Sequence, residues 1–221
     1  AVTVDCVVFG LDDTEGELSV LLIERGEEPF EGAWALPGGF VQIDEDLESA
    51  ARRELEEETS VRDLYLEQLA AFGAPDRDPR ERVITVAYFA IVNLFEHPVA
   101  AQTDARNAGW FTVSDLPALA FDHGAILELA LGRLRSKVRS EPLVFEFLPE
   151  TFTLRHVQNL YETILGEELD RRNFRKKIQS TGLLVPTNEV EMDVAHRAAQ
   201  LFRFDREGYE ARREEGFEWI V

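Results

Sequence analysis

Residues 37–61, PGGFVQIDEDLESAARRELEEETSV, decide how the rest of the chain is read. Leu47–Glu58 holds helix formers throughout and neither Gly nor Pro, so a helix is predicted there. An acidic run such as Glu54-Leu55-Glu56-Glu57-Glu58 is ordinarily a solvated helix face. Helical geometry speaks against that here. At about 100° per residue, Glu54 and Glu58 lie about 40° apart on the wheel, and Glu57 lies within about 100° of both. Leu47, Ala50, Ala51 and Leu55 share that half of the wheel, while Arg52 and Glu56 point the other way. Glu54 and Glu58 therefore project toward the apolar side, where a carboxylate needs a partner. Converging carboxylates repel unless a hard cation sits among them, and oxygen-only ligation suits Mg²⁺ or Mn²⁺. Arg53 is the cation adjoining the cluster and can hold one carboxylate in place. Pro37-Gly38-Gly39 lets backbone approach closely, since glycine has no side chain.

Upstream, Val2–Phe9 and Leu18–Glu24 read as strands joined by a polar turn, and Glu31–Phe40 as a shaped loop or short strand. Downstream, Leu64–Phe72, Val83–Leu94 and Ala108–Val113 read as further strands. Asp122 is a candidate cap for a helix over His123–Lys137, with Ile126, Leu127, Ala130, Leu131 and Leu134 on one face. Strands with two helices predict an α/β or α+β layer fold.

The whole chain has 221 residues, 45% of them apolar, which is enough for a core in one large or two small domains. No stretch approaches the roughly 18 apolar residues of a membrane span. The single cysteine, Cys6, excludes an internal disulfide framework and sits in an apolar run as a core thiol. No secretory signal is visible, so a cytoplasmic protein is expected. The net charge is −20, which by itself argues against nucleic acid. It is uneven, however. Residues 1–148 carry 12 basic and 29 acidic side chains, net −17, whereas residues 149–221 carry 11 and 14, net −3.

Gly39, Glu45, Arg53-Glu54, Leu55, Glu57-Glu58 and Val61 fit the Nudix box, G-x5-E-x7-R-E-U-x-E-E-x-G-U with U aliphatic. The chain thus resembles the Nudix family, with Ser60 where the box has Gly. The resemblance implies an α/β/α Nudix sandwich that cleaves a nucleoside diphosphate linked to another moiety. It implies Mg²⁺ or Mn²⁺ held by Glu54, Glu57 and Glu58 beside Gly39, with Glu57 and Glu58 catalytic. Glu45 and Arg53 would support the box.

Ligand residues are sought in Trp34 and in the run Phe72–Tyr88, which resembles ADP-ribose-type Nudix proteins. Arg77, Arg80 and Arg82 can meet a pyrophosphate, because guanidinium forks match phosphate oxygens. Equally, they can neutralise the local surplus of Asp and Glu. Trp34 is either a core residue or a stacking platform.

The pattern changes after Ser140–Pro149, which reads as a linker with a short strand. Thr151–Leu165 carries an apolar helical stripe that Gly166 stops. Asp170 is an N-cap candidate, with Leu169 and Phe174 placed as a hydrophobic staple, and Gly182 ends the second helix. Leu183–Val185 and Ala198–Phe204 read as two strands. Helix, short turn, helix and two-stranded wing outline a winged helix-turn-helix. Its second helix opens with Arg171-Arg172-Asn173-Phe174-Arg175-Lys176-Lys177. Arg172, Arg175, Lys176 and Gln179 lie opposite Phe174 and Ile178, as an exposed basic face for DNA or for acidic neighbours.

A Nudix domain over 1–140 followed by a winged helix over 148–221 resembles the Nudix-related transcriptional regulators of the NrtR type. That resemblance implies an ADP-ribose-type effector, double-stranded DNA contacted through Arg171, Arg172, Arg175, Lys176 and Gln179, and a homodimer. Two function classes stand: a ligand-responsive regulator, with or without Mg-dependent pyrophosphohydrolase activity, and a hydrolase whose second domain does not bind DNA. His97, His123, His156 and His196 are scattered and imply no metal cluster.

Overall fold

The computed structural model describes residues 1–12, 16–59, 64–94, 108–191 and 198–220, in two compact units, Ala1–Arg133 and Leu134–Val221. Ser60, Val61, His97 and His196 lie outside the described residues. No helix among those described is long and apolar enough to cross a membrane.

The first unit is built on a seven-stranded mixed sheet. Its strands are β1 (Val2–Asp12), β2 (Glu17–Glu24), β3 (Trp34–Ala35), β4 (Gly38–Phe40), β5 (Tyr65–Phe72), β6 (Ile84–Val92) and β7 (Ala108–Thr112). The main order is β3-β2-β1-β6-β5, with β4 also paired to β1 and β7 to β2. β1 and β6 are parallel, and the other pairs are antiparallel. From Val4 to Leu11, β1 is buried on both faces, as a central strand covered from two sides must be. Val4, Cys6 and Val8 pack on one face with Ala50, Ala51 and Leu55 of helix α1 (Leu47–Thr59). Val7, Phe9, Phe89 and Ile91 on the other face are also buried, as are Ile126, Leu127 and Ala130 of α2 (His123–Ser140). This is the expected α/β/α arrangement, and Cys6 is the core thiol that its apolar setting predicted. α1 starts on Asp46, whose carboxylate accepts the Ser49 N–H at 2.8 Å.

In the second unit, α3 (Leu154–Leu165) starts on a capping box between Thr153 and His156 and ends at Gly166, φ 71°. α4 (Arg171–Ser180) starts on Asp170, whose carboxylate accepts the Asn173 N–H at 2.8 Å. The wing is β8 (Leu184–Val190) paired antiparallel with β9 (Gln200–Phe204). The short strand expected within Ser140–Pro149 is instead a 3₁₀ turn, Leu143–Phe147, packed on α3. Leu143, Val144, Phe145 and Phe147 are all buried, which a strand with alternating faces does not achieve on one packing surface. A further helix, α5 (Arg206–Glu214), follows the wing. It escaped the sequence reading because Tyr209 is its one buried residue, so it has no apolar stripe. Beyond it, buried Trp219 donates from Nε1 to the Tyr161 hydroxyl at 3.1 Å.

Candidate functional site

In the first unit, a cleft of about 490 Å³ is lined in part by the paired strands β1 and β4. Glycine is required at its edge. A Cβ on Gly38 would lie 2.1 Å from the Val4 carbonyl oxygen, and one on Gly39 would lie 2.4 Å from Glu54 Oε1. The close backbone approach read from Pro37-Gly38-Gly39 is thus an approach to β1 and to a box carboxylate.

One guanidinium organises the box. Arg53 donates from Nε and Nη2 to Glu45 at 2.9 and 2.6 Å, and from Nη1 to Glu54 at 2.7 Å and Glu57 at 3.3 Å. Its Nη2 also reaches the Phe40 carbonyl at 3.2 Å. The bonds from Arg53 and from the Gln42 N–H bring the Glu45 carboxyl down to about 2. Glu58 stands apart and accepts the Gly38 N–H at 2.7 Å. Burial pushes its carboxyl up to about 8 despite that bond, and the charges of Glu54, Asp5 and Glu57 push the same way. The three box carboxylates are not equally placed. Glu54 is buried and Glu58 half-buried, whereas the Glu57 side chain is 60% exposed. Among the described residues no three acidic, imidazole or thiol groups already close around one point. The donor set nonetheless fits a hard dication. It offers oxygen only, and half-buried Glu58, whose charged form burial disfavours, has no ion-pair partner among the described residues.

The arginines divide. Arg77 lines the cleft, but its side chain is 4% exposed. It holds Asp122 through two bonds, at 3.0 and 2.7 Å, and reaches Asp5 at 3.2 Å. The carboxylate expected to cap α2 is therefore taken up by Arg77. Arg80 lines the cleft at 45% exposure, held in fork geometry by Asp78 at 3.0 and 2.7 Å. Arg82 does not line it, and its Nη1 ties the Gly73 and Ala74 carbonyls at 2.6 and 3.0 Å. Nor does Trp34, whose ring packs edge-on against Phe111 at 4.5 Å.

Several lining residues escaped the sequence reading: Asp5, Arg25, Phe40 and Phe121. Only Asp5 carried a signal, as a carboxylate within the apolar run of β1. His123, read as structural, is buried. It accepts the Leu36 N–H on Nδ1 at 2.9 Å, which leaves Nε2 to face Asp5 at 3.6 Å.

In the second unit, Phe174 and Ile178 of α4 are buried. Arg172, Lys176 and Gln179 are exposed, as the wheel predicted, and so are Arg171 and Lys177, whereas Arg175, expected on the same exposed face, is half-buried. None of the α4 cations forms an ion pair among the described residues. The acid-neutralising alternative thus finds no carboxylate within them.

A mixed sheet bearing a carboxylate-rich helix, joined in sequence to a winged helix whose second helix is basic, defines a class of two-domain proteins. Residues 1–130 match the Nudix domain family, and residues 144–204 match the NrtR DNA-binding winged helix domain. The chain belongs to the Nudix family and, within it, to the NrtR type that joins these two domains. It is 38% identical over 212 residues to the ADPR responsive transcriptional repressor NtrR of Acinetobacter baylyi, covering 94% of this chain and 83% of that protein. Over 128 residues it is 39% identical to the ADP-ribose pyrophosphatase of Methanocaldococcus jannaschii, covering 58% of this chain and 71% of the enzyme. NrtR of Shewanella oneidensis, solved with a 27mer DNA, superposes with a TM-score of 0.81 at 34% identity, covering 92% of this chain and 93% of that one. The Nudix domain of the same protein, solved with ADP ribose, has a TM-score of 0.51 at 38% identity, covering 60% and 87%.

Proposed function

We propose that this chain is a ligand-responsive transcriptional regulator of the cytoplasm. The Nudix cleft takes ADP-ribose or a related nucleotide sugar, and α4 enters the major groove of DNA as a homodimer. The observation that carries this reading is the basic face of α4. It sits on the second helix of a winged helix and has no ion pair among the described residues. Arg171, Arg172, Arg175 and Lys176 are offered to phosphates and base edges, and Gln179 can read a base. The relatives support the same reading, one responsive to ADPR and one solved with DNA. An effector that prefers one arrangement of the paired readers shifts the population toward it, and so changes DNA affinity. Fluorescence anisotropy on duplexes recovered by genomic selection tests this directly. Binding that responds to ADP-ribose is expected, with a dimer in light scattering. A monomer that retains no duplex at low salt, with or without ADP-ribose, defeats the proposal.

Glu54, Glu57 and Glu58 would hold Mg²⁺ or Mn²⁺, with Glu57 turning in from the surface and Gly39 leaving room beside Glu54. When bound, the ion supplies charge neutralisation at the diphosphate. Binding stabilises the native state by RT ln(1 + [L]/Kd). A melting temperature that no divalent ion or metal–nucleotide mixture raises would exclude this site.

The retained box carboxylates favour a second reading, a pyrophosphohydrolase of the ADP-ribose type. Its test is turnover of ADP-ribose with Mg²⁺. A rate lowered by orders of magnitude in Glu57→Gln and Glu58→Gln supports it, and absence of turnover in the wild type leaves a sensor.

A further inference from the structure

α4 spans 10 residues, fewer than the roughly 12–15 at which an isolated helix becomes even marginally stable in water. Its cations add to that burden. Arg171, Arg172, Arg175, Lys176 and Lys177 crowd onto one short helix, and the first of them stand where the helix dipole is already positive. Its buried residues, Phe174 and Ile178, lie one turn apart on a single line, so their packing alone leaves the helix free to rock about that line. The winged helix ends at Phe204, yet the segment after it meets α4 at both ends. Arg212 of α5 donates from Nη1 to the Thr181 carbonyl at 2.6 Å and from Nη2 to the Gly182 carbonyl at 3.4 Å. Thr181 caps the C-terminal end of α4, and Gly182 follows at φ 65°, with Arg212 Nη1 3.4 Å from where a Cβ would stand. A cation there meets the negative end of the helix dipole. α5 then closes on a Schellman motif: the Phe217 N–H bonds the Arg212 carbonyl at 2.9 Å and the Gly216 N–H the Arg213 carbonyl at 3.0 Å, with Gly216 at φ 91°. Past that turn, buried Trp219 holds the Tyr161 hydroxyl, and the Tyr161 ring stands edge-on to Phe174, near the start of α4, at 5.4 Å.

We propose that the segment from α5 to Trp219 is a clamp that sets the pose of α4 for reading DNA, and that Arg212 is its positioning residue. This deepens the DNA-binding reading above and rests on it. A recognition helix reads bases with its N-terminal part, and Arg212 sits at the other end. It therefore acts on DNA through α4 and touches no base itself. The clamp answers the particular weakness of this helix. Cations at the reading end suit phosphates but oppose the dipole, and Arg212 restores a favourable charge at the opposite end. Trp219, through Tyr161, fixes the surface on which Phe174 rests. With both ends held, the cationic face meets the groove in one orientation, and that fixed orientation is what sequence discrimination requires, since phosphate attraction alone is indifferent to sequence.

The test uses the full chain and two readouts. One is fluorescence anisotropy, over a salt series, on a duplex recovered by genomic selection with the wild type and on a scrambled duplex of equal length. The other is amide hydrogen exchange of α4 without DNA. Arg212→Ala is expected to lower the preference for the selected duplex about three- to tenfold, the net worth of one or two hydrogen bonds. It should leave the salt slope unchanged, because no phosphate contact is lost. Exchange should quicken in α4 and not in α3. Arg212→Lys, which keeps the cation and can reach one carbonyl, should recover most of the preference. Trp219→Phe, which keeps a ring in the core and loses the Nε1 donor, should lower it as Arg212→Ala does. Simple loss of folded protein lowers the active fraction on both duplexes alike and leaves their ratio unmoved. A uniform loss on both duplexes, with a salt slope flatter by about 0.9, would make Arg212 a phosphate contact and overturn the clamp. So would a preference and an α4 exchange rate that do not change together in Arg212→Ala, or that both stay at wild-type values. In those cases the DNA-binding reading stands. If the wild type retains neither duplex at low salt, both fall.

Discussion

The Glu58 carboxylate accepts the Gly38 N–H at 2.7 Å across 20 positions of sequence, so the end of α1 is tied to the strand that edges the cleft. β4 can deliver that N–H only because it lies against β1, with Gly38 facing Asp5 and Gly39 facing Val4 in register.

Gly38→Ala and Gly39→Ala are therefore expected to behave differently. At Gly38 the new methyl meets the Val4 carbonyl at 2.1 Å and the Asp5 Cα at 2.9 Å, both backbone. Neither can yield without moving β4 off β1, and a loss of about 3 kcal/mol or more is expected, at the upper end of overpacking costs. At Gly39 the obstacle is the end of the Glu54 side chain, which can swing away. Gly39→Ala should melt closer to the wild type but lose its Mg²⁺-dependent rise in melting temperature. Equal melting temperatures for the two variants would contradict the stated approach of β4 to β1.

Arg77 was open to two readings, phosphate ligand or partner of acids, and its burial against Asp5 and Asp122 favours the partner. Removing one member of a buried ion pair leaves the other charge uncompensated, at about 3–5 kcal/mol. Arg77→Ala should accordingly unfold at much lower urea than the wild type. A variant of wild-type stability whose ADP-ribose binding is weakened would restore the ligand role.

His123 gives the first unit a pH dependence. Burial is the largest influence on it and lowers its pKa below the usual 6.5. The folded state then binds fewer protons than the unfolded chain once the pH drops below about 6.5. Stability is fully present above that value and declines as pH falls toward the folded-state pKa. The neutral ring is also the one that can accept the Leu36 N–H on Nδ1. His123→Asn should flatten this part of the curve of melting temperature against pH between 5 and 7, tested at fixed ionic strength. An unchanged slope would mean that other groups produce it.

For DNA, Arg172 and Lys176 are the cleaner targets, because both are exposed whereas Arg175 is half-buried. Converting both to Ala should weaken duplex binding at least tenfold. The plot of log affinity against log salt should also flatten by about 1.8, the counterion release of two phosphate contacts. The melting temperature should hardly move, as Phe174 and Ile178 carry the packing of α4. An unaltered salt slope would place the contacts on another face.

What the sequence alone determined is what repeats within a few helical turns or a fixed short spacing. The apolar half of α1 with Glu54 on it, the caps at Asp170 and Gly166, and the outward basic face of α4 all follow from 3.6-residue periodicity and local turn chemistry. Tertiary structure decided the partners. Arg77 meets Asp122 45 positions away, Phe30 meets Phe121, and Trp34 packs on Phe111 because β2 pairs with both β3 and β7. Such pairings depend on strand order and register, which no local pattern encodes. The same holds for Glu57, which shares the box but stays exposed. Helical phase gives the direction of a side chain from its own axis, and only the packed neighbours decide whether that direction ends in core, cleft or solvent.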